Sequence, residues 1–257
     1  MRIIFSFFAF LFGLVIGSFM NVLMYRIPNN ISIIKPNSFC PKCKKPIRWY
    51  ENIPLVSYIT LGGKCSKCQA AISIRYPIVE LITGIVFLYF SIVHGLNLMF
   101  LFNVVFFCIL IVISGIDLWH QDIYDVFPFS GIVLGLLYHL LYGSILVSIA
   151  GGLFGGGFIL LIRVIGGKVY KKEVMGMGDV FLTAMIGAFV GFPFIIAAIF
   201  FASLVGAILG ILYVISTQQS SKSPIPFGPF LSIGGMIVII FKPEISQLFQ
   251  VAGIYSR

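Results

Sequence analysis

Residues 98–116 read LMFLFNVVFFCILIVISGI, a run without a single charge, and the next residue is Asp117. A helix needs ~20 apolar residues to cross a bilayer, so the run predicts a membrane span. Only eight acidic residues occur in 257, and a carboxylate beside that much hydrocarbon is a functional-site candidate. Further apolar runs occupy roughly 3–24, 78–95, 126–142, 144–165, 180–193, 194–216 and 225–242. With 60% hydrophobic residues, 10% charged residues and a mean hydropathy of +1.09, a soluble domain is excluded. The predicted fold class is an all-α polytopic membrane protein with about eight transmembrane helices and a small zinc-ribbon-like cytoplasmic loop domain. The run at 180–193 is short enough to be tilted or partly re-entrant.

The first run, Ile3 to Met24, exceeds the usual signal-peptide core and ends without an AxA-like site, so a retained helix is expected. Within it Gly13 and Gly17 form a GxxxG, a weak indication of close helix packing. The net charge of +9 does not point to nucleic acid, because the cations sit in loops between apolar runs and set topology. Nine of the seventeen Lys and Arg residues lie between Arg26 and Tyr76, which places that loop in the cytoplasm. Threading eight spans from there puts 117–125, 163–179 and 217–223 on the same side. These segments add Arg163, Lys168, Lys171, Lys172 and Lys222, leaving Arg2, Lys242 and Arg257 outside.

In the long polar loop, Cys40-Pro-Lys-Cys43 and Cys65-Ser-Lys-Cys68 give CxxC, a 21-residue spacer and CxxC. Two such turns close a tetrahedral four-cysteine site typical of structural zinc, and a reducing cytoplasm disfavours two disulfides. Four protein ligands leave no open position for water, so the metal is expected to fold the loop. Cys108, mid-run, reads as a small buried apolar residue.

The second carboxylate of interest is Asp179 in Gly176-Met177-Gly178-Asp179, where a basic loop enters an apolar run. Gly176 and Gly178 allow a sharp turn and close backbone approach. The bland reading is a helix N-cap at Asp179. Asp117 and Asp179 fall on one face of the threaded topology, and a carboxylate pair there suggests aspartic-protease chemistry, in which the two acids share a proton. Burial at a membrane edge is expected to raise the pair above the ordinary Asp value of about 3.9. Asp125 reads as a helix cap and Asp122 as a turn residue. His120, His94 and His139 read as interfacial, and no HExxH motif is present.

These motifs and others make the chain resemble the bacterial prepilin peptidases, the type IV leader peptidase family of GxGD membrane aspartic proteases. The likeness rests on Gly17 to Val22, Tyr25 to Pro28, the four cysteines, Asn52-Ile53-Pro54, Gly63-Lys64-Cys65, Arg75-Tyr76-Pro77, Glu80, Ile116-Asp117, the Gly-Met-Gly-Asp turn and Ile225 to Phe230. It implies an enzyme that cuts the basic leader from type IV prepilins or type II secretion pseudopilins at the cytoplasmic face of the bacterial inner membrane. Asp117 and Asp179 would be the catalytic pair. Members with the cysteine loop typically also methylate the new N-terminus with S-adenosylmethionine. Two departures stand out: Tyr124-Asp125 where the family often has Pro-Asp, and Phe181 where it often has Lys.

The expected division is 1–25 as first helix, 26–77 as the cysteine-bearing loop domain and 78–257 as a seven-helix peptidase domain. Glu51, Glu80 and Asp122 are candidates to receive a basic leader, and Arg75 with Glu80 otherwise reads as a membrane-edge pair. Two other readings are a carrier binding a cation with its Asp pair at broken helices, and a membrane-anchored zinc-ribbon scaffold.

Overall fold

The computed structural model describes residues 2–217 and 226–251. Lys222, Ile225 and Arg257, used above for charge balance and for the last run, lie outside the described residues, as do 218–223 of the last predicted loop. In chain order the helices are α1 Arg2–Arg26, α2 Val56–Thr60, α3 Arg75–His94, α4 Leu98–His120, α5 Val126–Tyr142, α6 Ile145–Tyr170, α7 Met177–Val190, α8 Phe194–Thr217, α9 Gly228–Ile240 and α10 Lys242–Val251. A 3-10 turn spans Trp49–Asn52.

The local reasons are ordinary ones. Pro77, Pro128 and Pro229 sit in the first turns of α3, α5 and α9, where a missing N–H removes no helical bond. Gly95 and Gly191 end α3 and α7 at φ +66° and +82°, a region that a side chain disfavours. Among the described residues, five helices are long and apolar enough to cross a membrane, or six if α9 and α10, bent by 80°, count as one. Helices form at all eight apolar runs, but α5 and α7 are shorter than a full crossing.

The chain forms two compact units, Met1–Val112 and Ile113–Arg257. In the first, α1 and α3 lie backbone to backbone. A Cβ on Gly17 would fall 2.7 Å from Glu80 Cα, and one on Gly13 would fall 2.9 Å from Gly84 Cα. The GxxxG is therefore a packing surface. The start of α4 is fastened by rings: Phe100 meets Phe5 and Phe87 with centroids at 5.6 and 5.9 Å, and Phe107 meets Phe90 at 5.0 Å. Arg26, 4% exposed, anchors the polar loop by donating to the carbonyls of Ser32 and Pro36 at 2.8 and 2.7 Å.

In the second unit, α7 is the central helix, buried on nearly every face from Val180 to Val190. Small residues let its neighbours approach: Gly151 of α6 lies against Gly187, and Gly135 of α5 against Ala188. A helix that ends inside protein must have its last carbonyls satisfied. Gly191 N reaches the Gly187 oxygen at 2.9 Å, the Ser148 hydroxyl donates to Ala188 O at 2.6 Å, and Lys242 donates to Val190 O at 3.4 Å. His139 Nε2 lies 3.1 Å from Phe189 O.

Several expectations are corrected. His139 is buried and serves the end of α7, whereas His120 is exposed as expected. The helix of the 144–165 run continues to Tyr170, so Arg163 and Lys168 are helical rather than loop residues. The 225–242 run stops at Ile240 because Lys242-Pro243-Glu244 brings charge and a proline that cannot continue the ladder. Asp125 occupies the N-cap position of α5, yet its side chain makes no capping bond. Cys108 is half-buried.

Candidate functional site

Asp117 lies in the last turn of α4 with only 5% exposure. Its Oδ2 accepts a hydrogen bond from the Gly228 amide at 3.0 Å. That amide begins α9 and has no helical acceptor, so a free N–H and the positive end of a helix both face the carboxylate. A Cβ on residue 228 would lie 2.6 Å from Oδ2, so only glycine permits the approach.

Asp179 is the third residue of α7 and is half-buried, with Gly176 at the N-cap position. The N-cap reading of Asp179 is thus corrected: its carboxylate sits inside the first turn, and the Thr183 hydroxyl holds its backbone oxygen at 2.7 Å. Ile123, in the connection after α4, lies against a glycine associated with each acid. It packs against Gly178, where an added Cβ would meet Ile123 Cβ at 2.7 Å, and against Gly228, where Ile123 Cδ1 would lie at 3.3 Å. The segments that carry the two acids thus meet on one side chain, and the charges of Asp179 and of exposed Asp122 act on Asp117. Such a pair can hold one ionised and one protonated carboxyl, the combination that activates water and polarises a carbonyl. Phe181 packs on Phe129 of α5 at 5.2 Å between centroids, an apolar contact where the resemblance would put an ammonium.

Sequence reading did not assign roles to Gly228 and Ile123. The Gly228-Pro229 dipeptide at a helix start was the available signal for the first. Ile123 carries no chemical signal of its own.

The cysteine knuckles in the first unit are built twice on one plan. Lys44 N donates to Cys40 O and Cys40 N to Lys45 O, both at 2.9 Å. Gln69 N donates to Cys65 O at 3.0 Å and Cys65 N to Ala70 O at 2.9 Å. Lys44 and Gln69 take the same left-handed turn at φ +57° and +56°, and bridges pair Phe39 with Pro46 and Lys64 with Ala71. The four sulfurs lie within 4.8 Å of one another, with Cys40–Cys68 and Cys43–Cys65 at 3.9 Å. Zn–S bonds of about 2.3 Å give a tetrahedron with edges of about 3.8 Å, so this cluster has the dimensions to hold a metal ion.

Of the three acids named as receivers of a basic leader, Glu51 and Glu80 are engaged within the fold, while Asp122 is exposed. Glu51 pairs with Lys45 at 2.9 Å and accepts from the Ser66 hydroxyl at 2.6 Å and the Arg48 amide at 3.0 Å. The Ser66 hydroxyl, the Arg48 amide and Lys45 hold its carboxyl down at about 2. Glu80 is buried and accepts from Leu55 N at 2.8 Å, which is more than a membrane-edge role.

The bacterial peptidase A24 N-terminal domain model matches residues 11–94, and the type IV leader peptidase family model matches residues 104–211. A prepilin leader peptidase/N-methyltransferase of Pseudomonas aeruginosa is 36% identical, over 95% of this chain and 93% of that protein. A type 4 prepilin-like proteins leader peptide-processing enzyme of Escherichia coli is 37% identical, over 90% of this chain and 91% of its own length. No solved structure matches the chain. With both family models and near full-length likeness falling on the residues just described, this multi-pass membrane protein belongs to the type IV leader peptidase family.

Proposed function

We propose that the chain is an aspartic endopeptidase that removes the basic leader from type IV prepilins or type II secretion pseudopilins, and then methylates the new N-terminus. The observation that carries this reading is that Gly228, whose amide donates to Asp117, and Gly178, next to Asp179, pack on the same Ile123 side chain, so that different helices bring the two acids to one place. One carboxylate takes a proton from water as the water attacks the scissile carbonyl; the other, protonated, donates to the carbonyl oxygen. The leaving amine then departs with a proton returned by the pair, which titrates as a unit. Gly176, where an added Cβ would meet nothing nearer than Asp179 Oδ2 at 3.7 Å, leaves room for extended substrate backbone beside Asp179, while Gly178 gives its space to Ile123.

Cys40, Cys43, Cys65 and Cys68 hold one zinc ion, whose closed coordination gives it the task of folding residues 26–77. Residues 1–25 form the first membrane helix and 78–257 the peptidase domain. S-adenosylmethionine supplies, when bound, a methyl group on a sulfonium, and the α-amine freed by cleavage is the acceptor. The excess of Lys and Arg between Arg26 and Tyr76 faces the cytoplasm from a bacterial inner membrane, with the Asp pair on the same side.

Asp117→Asn and Asp179→Asn keep the side-chain shape and remove the acid. Membranes holding either variant leave a prepilin uncut at unchanged protein level, and near-normal processing by either one refutes the pair. Cation uptake into proteoliposomes that disappears with Asp179→Asn is the result that would favour the carrier reading.

A further inference from the structure

In the first unit, the stretch 49–60 turns large apolar side chains outward: Trp49 is 81% exposed, Val56 52% and Ile59 75%. Its polar groups are spent within the fold. The buried Ser57 hydroxyl donates to Tyr50 O at 2.9 Å and accepts from Ile53 N at 2.8 Å, and Glu51 bonds to Lys45 and Ser66 of the two knuckles. Arg48, just before the stretch, places its guanidinium over the Tyr50 ring and donates to the Tyr50 hydroxyl, while Trp49 meets Tyr50 edge-on at 5.7 Å. Arg48 and Lys64 flank the stretch, both exposed, and its single acid, Glu51, is paired with Lys45.

One bond sets the level of this stretch along α3. Leu55, at φ +61°, donates its amide to the Glu80 carboxylate at 2.8 Å. Glu80 is the sixth residue of α3, about 7.5 Å along a 20-residue axis about 30 Å long. Bilayer hydrocarbon is also about 30 Å thick, so α3 is used in full to cross it and Glu80 lies inside its edge. Leu55, and α2 directly after it, are therefore held at the headgroup layer rather than out in water. Ile74 and Ile78, exposed at the start of α3, stand at the same end of that helix.

Apolar side chains exposed to water are costly, whereas at a bilayer surface they enter the acyl boundary, with Trp and Tyr at the headgroups and Lys and Arg among the phosphates. We propose that residues 49–60 are an interfacial anchor that seats Trp49, Val56 and Ile59 in the anionic lipid surface beside α3, with Arg48 and Lys64 on lipid phosphates. The inference rests on α3 as a membrane span and is independent of the Asp pair. The occupant is lipid because the level fixed by the Leu55–Glu80 bond is that of the headgroups. It is anionic lipid because the flanking charges are cationic and the one acid between them is already paired. Through Glu51 the anchor grips both knuckles, so the cysteine loop keeps a fixed height over the bilayer.

The unaltered full chain, in nanodiscs of phosphatidylglycerol with a diazirine near the top of the acyl chain, is irradiated and the labelled peptides are mapped. The expected result is label on 49–60 as well as on α3. Label on α3 with none on 49–60 overturns the anchor, and no label on α3 overturns the span on which the inference rests. Trp119→Phe then leaves Trp49 as the single tryptophan. In discs of dibrominated phosphatidylglycerol its emission falls by about twofold or more against unbrominated discs, and aqueous acrylamide quenches it little. Emission that ignores bromine but yields to acrylamide marks a water-facing stretch, and emission shielded from both marks a stretch covered by protein; either overturns the proposal. Equal quenching in dibrominated phosphatidylcholine discs overturns the preference for anionic lipid. The photolabel needs no variant, so it decides the matter even if Trp119→Phe does not fold.

Discussion

The cysteine cluster and the aspartate pair are assembled by opposite means. Each knuckle closes through hydrogen bonds within six residues of its first cysteine, and the same bonds, bridge and left-handed turn recur in the second knuckle. Local geometry presets half the ligands in each turn, and only the meeting of two turns is long-range. The aspartates have no such local scaffold. Asp117 depends on α9 for its amide donor, on Gly228 for clearance and on Ile123 for its spacing from Gly178, so four separate segments set one site. A site of the first kind tolerates change elsewhere in the chain; a site of the second kind inherits every shift of its helices.

Substitutions that test this contrast are ordered by expected effect. Asp117→Asn or Asp179→Asn should lower prepilin cleavage by about 10³-fold or more, read by gel shift of the processed product, with the melting temperature held. A residual rate near normal would mean that the pair is structural. Gly228→Ala forces a methyl group into the 2.6 Å separation from Asp117 Oδ2 and should cost about 10²-fold in cleavage through misplacement alone. If it costs nothing, the α9 amide does not position the acid.

Cys65→Ser should release about one zinc per chain by metal analysis and reduce methylation more steeply than cleavage, because the cluster orders its own loop first. Equal loss of both activities would erase the contrast between the regions. Ser148→Ala leaves the Ala188 carbonyl without its 2.6 Å donor and should destabilise the fold by about 1 kcal/mol in a reversible unfolding assay. Last comes pH. The Glu51 carboxyl, depressed in the folded loop, contributes stability above its ordinary value and loses that contribution as pH falls toward about 2. Glu51→Gln should therefore flatten the acid limb of loop stability, followed by amide hydrogen exchange of residues 38–72 in the metal-free protein, between about pH 4.5 and 2. An unchanged limb would show that Lys45 and Ser66 do not hold it.

Much of this was legible in advance, and for identifiable reasons. Hydrocarbon length requires long apolar runs, so the helices at the eight apolar runs could be read from hydropathy, whereas α2 and α10 could not. CxxC repeats announce themselves because their geometry is local. By contrast, the GxxxG at Gly13 and Gly17 was weak until Gly84 and Glu80 of α3 were found against it. His139 looked interfacial because nothing near it in the chain reveals that Phe189 O is its partner. Glu51 looked available because its three partners are scattered over the loop.

The sequence by itself determined the membrane class, the knuckles and the two acids to watch, since each depends on composition or on spacing within a few residues. Only the tertiary structure decided that Gly228 and Ile123 complete the acid site, that three side chains and a backbone amide finish α7, and that the Leu55 amide ties residues 49–60 to Glu80. Those facts are distances between segments far apart in the chain. They are fixed by which helix faces pack together, a choice that no short stretch of residues contains.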